Sequence, residues 1–124
     1  MGHYRGKKCT YNEIEFDSIP EKDYYIELLN NKDVSNLQVH PKFILLEGFR
    51  NNEGKAIRSL TFKPDFMFVK GGQKYIIDIK PINKKLIDSD FVIRWKLLQN
   101  MYKEQDILFR LIAWDSKKKM FVEI

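Results

Sequence analysis

Two carboxylates and a lysine near the middle of the chain have the residue types and the spacing that could hold a cation. Asp65 stands just before the apolar run Phe66–Val69, while Asp78 and Lys80 stand within and just after the run Tyr75–Ile79. Carboxylate oxygens are the ligands that hard divalent cations take in proteins. Two carboxylates held close together without a cation share a proton instead. What these residues can do therefore depends on whether the fold places them side by side.

The two apolar runs predict a β-hairpin, because Gly71-Gly72 lies between them and both glycines can take φ > 0. With these two residues in the turn, Asp65 faces Asp78 on the opposite strand. Directly opposed side chains lie roughly 5 Å apart at Cβ, and like charges placed there are destabilising. Lys80 is two residues beyond Asp78 and so shares its face. This arrangement favours a cation between the carboxylates, or a proton shared by them.

Each of these residues also has a purely structural explanation. Asp65 follows Pro64 and can begin a strand or cap a turn, and Lys80 precedes Pro81 as a solvated strand end. A slip of one residue in the turn moves Asp78 to the other face of the hairpin. These three positions alone leave both interpretations open.

The first predicted helix supplies a further carboxylate. Ser18 is a suitable N-cap, Pro20 is tolerated in the first turn, and Glu21 at the third helical position completes a capping box. An apolar stripe over residues 25–29 follows, and Asn30-Asn31 ends the helix. Capping by itself explains Glu21, so a catalytic role for it needs evidence from elsewhere in the chain.

The remaining segments predict a mixed central sheet flanked by helices, in the α/β (α+β) class. We expect strands over residues 11–16, 37–46, 56–62, 107–114 and 120–124, a loop over 48–55, and a second helix from Asp88 or Ser89 to about Lys103. The second helix carries a core-facing stripe of Phe91, Trp95, Leu98 and Tyr102. The predicted order is (β)α-β-β-β-β-α-β-β.

Composition predicts one folded domain with a basic character. The 124 residues are 44% hydrophobic and 14% aromatic, which is enough for a single core over residues 11–124, after a basic N-terminal arm at residues 1–10. Lys and Arg number 22 against 17 Asp and Glu, and the net charge of +5 favours a polyanionic partner. Cys9 is the single cysteine, so no intramolecular disulfide forms and nothing indicates secretion. No run of membrane-spanning length and no signal-peptide pattern is present, so we expect a soluble, cytoplasmic protein.

The hairpin and the first helix together resemble the PD-(D/E)XK nuclease superfamily. The match is literal at Pro64-Asp65 and at Asp78-Ile79-Lys80, downstream of Glu21. Over roughly residues 11–105 the chain resembles small phage-encoded endonucleases related to Holliday-junction resolvases. That resemblance is carried by Phe16-Asp17-Ser18, Glu21, Tyr24-Tyr25, His40-Pro41-Lys42-Phe43 and Arg58. A shorter stretch is similar to the endonuclease subunit of Tn7-like transposases. Ile19-Pro20 departs from the family pattern, which has a basic residue and no proline there, and this could tilt Glu21.

The resemblance implies a restriction-endonuclease-like core and metal-assisted hydrolysis of a phosphodiester. Asp65 and Asp78 would bind Mg²⁺ or Mn²⁺, with the backbone carbonyl of Ile79 and the carboxylate of Glu21 as further ligands. Lys80 would orient or help deprotonate the attacking water and offset charge in the transition state. Because adjacent carboxylates favour the charged ammonium, orientation and charge stabilisation are its safer roles. Glu21, Asp65, Asp78 and Lys80 are thus the expected catalytic set.

DNA contacts are expected from polar and basic residues around this site. Gln38, His40 and Arg58 are second-rank candidates for the rim, and His40 is expected at the sheet edge rather than as a metal ligand. Backbone phosphates would meet Arg5, Lys7, Lys8, Lys84, Lys85, Arg94 and Lys96. For Arg94 and Lys96 the alternative is a solvated helix surface.

Three functions stay open on the sequence. The first is a DNA endonuclease, with branched or junction DNA in phage DNA processing as a candidate substrate. The second is a nucleic-acid-binding protein on the same fold without cleavage, because a fold does not fix a function. The third is a transposase-type nuclease subunit that needs a partner protein. The resemblance further implies a homodimer, since two sites cut two strands, and a bacterial host cytoplasm if the protein is phage-encoded.

Overall fold

The computed structural model describes residues 8–124, which form two helices and eleven short strands. In chain order these are β1 (Cys9–Tyr11), β2 (Ile14–Phe16), α1 (Ile19–Leu29), β3 (Val34–Val39), β4 (Phe43–Leu46), β5 (Phe49–Arg50), β6 (Ala56–Ile57), β7 (Leu60–Phe62), β8 (Phe66–Lys70), β9 (Gln73–Ile79), α2 (Ser89–Met101), β10 (Ile107–Asp115) and β11 (Met120–Glu123). A 3₁₀ turn over Lys84–Leu86 precedes α2.

Five of the strands form one mixed sheet in the order β11-β10-β9-β8-β3. β10 runs parallel to β9, and the other neighbours are antiparallel. The parallel pair requires a crossover, which α2 provides between β9 and β10. The predicted class, a mixed sheet with helices in an α+β arrangement, is confirmed.

The β8–β9 hairpin has the predicted register. Gly71 and Gly72 form the turn with φ of 57° and 82°, and Lys70 pairs with Gln73. Positive φ at both central residues matches the right-handed twist of the flanking strands, and only glycine takes it without steric cost. The register continues through Phe68 opposite Tyr75. Every side chain of the hairpin therefore lies on the face that the alternation predicts.

Each helix covers one face of the sheet through its apolar stripe. Tyr25 and Leu28 of α1 pack in a cluster that contains Phe66 and Ile77 from the hairpin. The stripe of Phe91, Trp95 and Leu98 on α2 packs with Ile76 in a second cluster, and Tyr102 joins it partly buried. Odd and even positions of β9 thus face different helices, as strand alternation requires. Neither helix among residues 8–124 is long and apolar enough to cross a membrane.

The predicted strand over residues 37–46 is wrong, because the chain breaks at His40. β3 ends at Val39 and pairs with β8, whereas β4 begins at Phe43 and pairs with β7 in a separate two-stranded sheet. His40 has φ of 51°, in the left-handed region that a continuing strand cannot use. Pro41 follows and also disfavours a continuous ladder.

Smaller differences affect two other predicted strands and the second predicted helix. The predicted 11–16 strand is a hairpin of β1 and β2, and β1 begins inside the predicted basic arm. The predicted 56–62 strand divides into β6 and β7, which pair with β5 and β4. The second helix ends at Met101, and its N-cap Asp88 makes no side-chain capping hydrogen bond.

Candidate metal centre

Asp65 and Asp78 lie together at the open end of the β8–β9 hairpin. The backbone N–H of Asp65 donates to Oδ1 of Asp78 at 2.8 Å, and the N–H of Ile79 donates to Oδ2 of Asp65 at 2.7 Å. Each carboxylate therefore accepts a hydrogen bond from the other strand. The hairpin register, together with these two bonds, fixes both side chains beside each other.

The environment of this pair favours protonation when no cation is present. Burial raises the pKa of Asp65 well above its usual range, and the charges of Asp78 and Glu21 raise it further. Burial also raises the pKa of Asp78, although the ammonium group of Lys80 opposes that effect. Asp78 is 4% exposed, whereas Asp65 keeps a partly exposed edge. Buried carboxylates with raised pKa values are typical of sites that bind a cation or a proton.

Glu21 reaches this region from the first turn of α1. Ser18 caps the helix as predicted, because its hydroxyl accepts from the backbone N–H of Glu21 at 3.2 Å. The second hydrogen bond of the predicted capping box, from the backbone N–H of Ser18 to the Glu21 carboxylate, does not form in the described part of the chain. The buried Glu21 carboxylate instead lies 2.7 Å from Nε2 of His40, measured from Oε1. Capping therefore does not account for this side chain, and its orientation leaves it available to the candidate site.

Ligand atoms of Glu21, His40 and Asp65 lie within 4.8 Å of one another. The three residues come from α1, the β3–β4 bend and the position directly before β8. The hydrogen bond to Glu21 raises the pKa of His40, as do the charges of Glu21, Asp17 and Asp78, while burial opposes them. Asp78 is not a member of this group of three, although it adjoins Asp65.

Lys80 sits beside Asp78 on the α2 side of the sheet. Its Nζ is 3.0 Å from Oδ2 of Asp78 and 3.6 Å from the ring centroid of Phe91. A cation over an aromatic face is attracted by the ring quadrupole, so Phe91 and Asp78 together hold the ammonium in place. The predicted common face for Asp78 and Lys80 is therefore observed.

A cleft of about 280 Å³ opens beside His40 and Asp65. It is lined by Glu15, Asp17, His40, Lys63 and Asp65. A second cavity of about 270 Å³ lies beside Tyr24 and Tyr75, and none of these carboxylates lines it. The polar cleft, rather than that cavity, is the opening to the candidate metal centre.

The donor set fits a divalent cation. Lys80 balances the charge of Asp78, while Glu21 and Asp65 face each other beside His40. A bound cation would offset the repulsion that raises the pKa of Asp65. Carboxylate oxygens from Glu21, Asp65 and Asp78 could hold Mg²⁺ or Mn²⁺. The backbone carbonyl of Ile79 as a ligand stays a prediction.

The residues predicted to contact DNA are mostly exposed and lie on several elements. Gln38 is on β3, Arg58 lies between β6 and β7, and Lys84, Lys85 and Lys96 are exposed on the 3₁₀ turn and α2. Lys8 is exposed directly before β1, whereas Arg5 and Lys7 lie outside the described residues.

Arg94 differs from the other predicted DNA contacts, because it has partners within the fold. Its Nη1 forms an ion pair with Asp90 one turn earlier, and its Nε donates to the backbone carbonyl of Thr61 at 3.3 Å. The bond to Thr61 ties α2 to β7. A structural role thus accounts for Arg94 better than the solvated helix surface that was the alternative.

The contact between His40 and Glu21 is the feature of this site that the sequence does not predict. His40 was expected at the sheet edge, yet it contacts Glu21, which lies nineteen positions earlier in the chain. Pro41 indicated a bend at this point, but no local pattern connects the bend with the first turn of α1. That contact depends on how α1 packs against β3.

One comparison with known proteins identifies a family. Residues 1–120 match the family described as "Protein of unknown function (DUF1064)". Neither the curated proteins nor the solved structures gave a significant match to the chain.

Proposed function

We propose that this chain, which belongs to the DUF1064 family, is a divalent-metal-dependent endonuclease that hydrolyses phosphodiester bonds in DNA. One observation carries the proposal: the carboxylate of Asp65 lies beside those of Glu21 and Asp78 at the open end of one hairpin, and Lys80 lies next to Asp78. A site built for packing alone would not place three acidic side chains together in a largely buried position, because each loses hydration there.

Each residue has a distinct role in this proposal. Asp65 and Asp78 hold the cation from the hairpin, and Glu21 completes the oxygen ligands from α1. The cation, when bound, supplies Lewis-acid polarisation of the phosphate and a more acidic water. Lys80 orients the attacking water and stabilises the negative charge of the transition state, because Asp78 and Phe91 fix its ammonium group.

The proposal includes a restriction-endonuclease-like core, in which the mixed sheet and its hairpin carry the site. The net charge of +5 and the exposed Lys8, Lys84, Lys85 and Lys96 support a polyanionic substrate. Contacts of this kind hold the phosphate backbone without reading base sequence. Cleavage of both strands further requires two sites, so we propose that the active form is a homodimer.

A DNA-substrate panel tests this function. Purified protein is incubated with supercoiled plasmid, linear duplex, single strands and a four-way junction, in Mg²⁺, in Mn²⁺ and in excess chelator. We expect nicking or cutting of at least one substrate with metal and none with chelator. Binding without cutting on every substrate would instead favour a non-cleaving DNA-binding protein. Cutting that begins only after a second protein is added would favour the transposase-type subunit.

A matched pair of variants distinguishes cutting by this site from cutting by a contaminating nuclease. Asp78→Asn removes the charge while keeping size and shape, and cutting should disappear while DNA binding persists. Ser35→Ala alters an exposed residue of β3 that pairs opposite Val69, toward the far end of the hairpin, and should cut like the wild type. Equal cutting by both variants would exclude this site.

A further inference from the structure

The bend at His40 is built so that its imidazole lies against two carboxylates from other segments. The backbone N–H of His40 donates to the carbonyl of Asp65 at 2.9 Å, which ties the bend to the start of β8. His40 also takes φ of 51°, a conformation that costs free energy for a residue with a Cβ. The surrounding structure holds that conformation in place, and the imidazole meets Glu21 at 2.7 Å as a result.

The atoms that meet at this point have the composition and the separation of a ligand set. Two ligand atoms on one divalent ion lie about 3 Å apart, because each bond is about 2.0–2.2 Å long. A ring nitrogen of His40 and carboxylate oxygens of Glu21 and Asp65 all lie within 4.8 Å of one another, and Nε2 is the nitrogen that lies 2.7 Å from Glu21. Small side-chain adjustments would bring the three atoms to the separation of ligands on one ion. Three separate segments supply these atoms, and the His40–Asp65 backbone hydrogen bond fixes two of them relative to each other.

We propose that Nε2 of His40 is a direct ligand of the bound cation, beside Glu21 and Asp65, and that this nitrogen makes the site favour first-row transition ions over Mg²⁺. Imidazole suits transition ions, whereas Mg²⁺ takes oxygen ligands and keeps several waters. The inference rests on the metal site of the proposed function but does not require that the protein cut DNA. A site with oxygen ligands alone would show a weaker preference.

Bound Mn²⁺ tests directly whether Nε2 of His40 coordinates the cation. Pulsed electron paramagnetic resonance of Mn²⁺ bound to the whole chain reports whether a nitrogen is coordinated. We expect a coordinated-nitrogen signal in the wild type, its loss in His40→Gln, and its retention in His3→Gln, which alters the chain's other histidine. Circular dichroism of each variant confirms that it is folded. The wild-type measurement needs no variant, so a folding defect cannot hide the answer.

Metal affinities give the second readout. We expect His40→Gln to weaken Mn²⁺ binding by at least about tenfold, and Mg²⁺ binding by less than about threefold, because only the nitrogen donor is lost. Mn²⁺ bound without any nitrogen signal, or a signal lost in His3→Gln instead, would overturn the proposal and leave the nuclease function standing. A wild type that binds neither ion would overturn both.

Discussion

Asp65 donates its backbone N–H to the carboxylate of Asp78 at 2.8 Å across the open end of the β8–β9 hairpin. The bond places two acidic side chains side by side on neighbouring strands, where their charges repel. Burial and this repulsion raise the pKa of Asp65. The arrangement therefore opposes folding when no cation is bound and favours binding when one is present.

Asp65→Asn should stabilise the metal-free protein. The amide keeps the size of the side chain and can still accept from the N–H of Ile79, while the repulsion with Asp78 and Glu21 is removed. We expect the melting temperature in excess chelator to rise by about 2–6 °C. Added Mn²⁺ should raise the melting temperature of the wild type but not of the variant. A lower melting temperature for the variant in chelator would show that the carboxylate is not under electrostatic strain.

Asp78→Asn should abolish cutting with little change in DNA binding. Asp78 adjoins Asp65 and holds Lys80, so its charge serves both the cation and the ammonium group. We expect the rate of plasmid nicking to fall by a factor on the order of 10³. Gel-shift titration in chelator measures binding separately, and a loss of binding equal to the loss of cutting would contradict the assigned role.

Lys80→Gln should lower cutting and also change the titration of its partner. Without the ammonium group, the pKa of Asp78 should rise further, because Lys80 is the largest influence that lowers it. We expect nicking to fall by about 10²–10³-fold at saturating metal. Lys117→Gln, at an exposed position in the β10–β11 turn, is the matched control and should retain full activity. Wild-type rates for Lys80→Gln would remove the lysine from the mechanism.

The metal-free protein should lose stability as the pH rises. The pKa of His40 is raised above its ordinary 6.5 in the folded state, chiefly by the hydrogen bond to Glu21. Its stabilising contribution is therefore complete below about pH 6.5 and is lost as the pH rises through the raised value. Asp65 adds a loss in the same direction, beginning above its ordinary 3.8. Melting temperatures in chelator from pH 5 to 9 measure the effect, which His40→Gln should reduce.

Lys84→Gln with Lys85→Gln should weaken DNA binding through electrostatics alone. Both residues are exposed on the 3₁₀ turn, so their loss should leave the fold unchanged and lower the salt dependence of binding. Arg94→Gln should act differently, because it breaks the bonds to Asp90 and Thr61 and should lower the melting temperature. Fluorescence anisotropy over a range of salt concentrations distinguishes the two effects, and an unchanged salt slope in the double variant would contradict the first.

The hairpin could be predicted because residues close together in the sequence determine its turn and its register. Gly71-Gly72 sets the turn, the turn sets the register, and strand alternation then assigns a face to Asp78 and Lys80. The N-cap at Ser18 and the apolar stripe of α2 follow from the same kind of short-range pattern.

The tertiary structure alone decided which residues Glu21 and His40 contact. A capping-box pattern predicts that Glu21 bonds back to its own helix, but the packing of α1 against β3 turns the carboxylate to His40 instead. The left-handed bend at His40 depends likewise on a backbone hydrogen bond to Asp65, twenty-five positions along the chain. Contacts between segments so far apart depend on how whole elements pack, which short-range spacing and propensity do not encode.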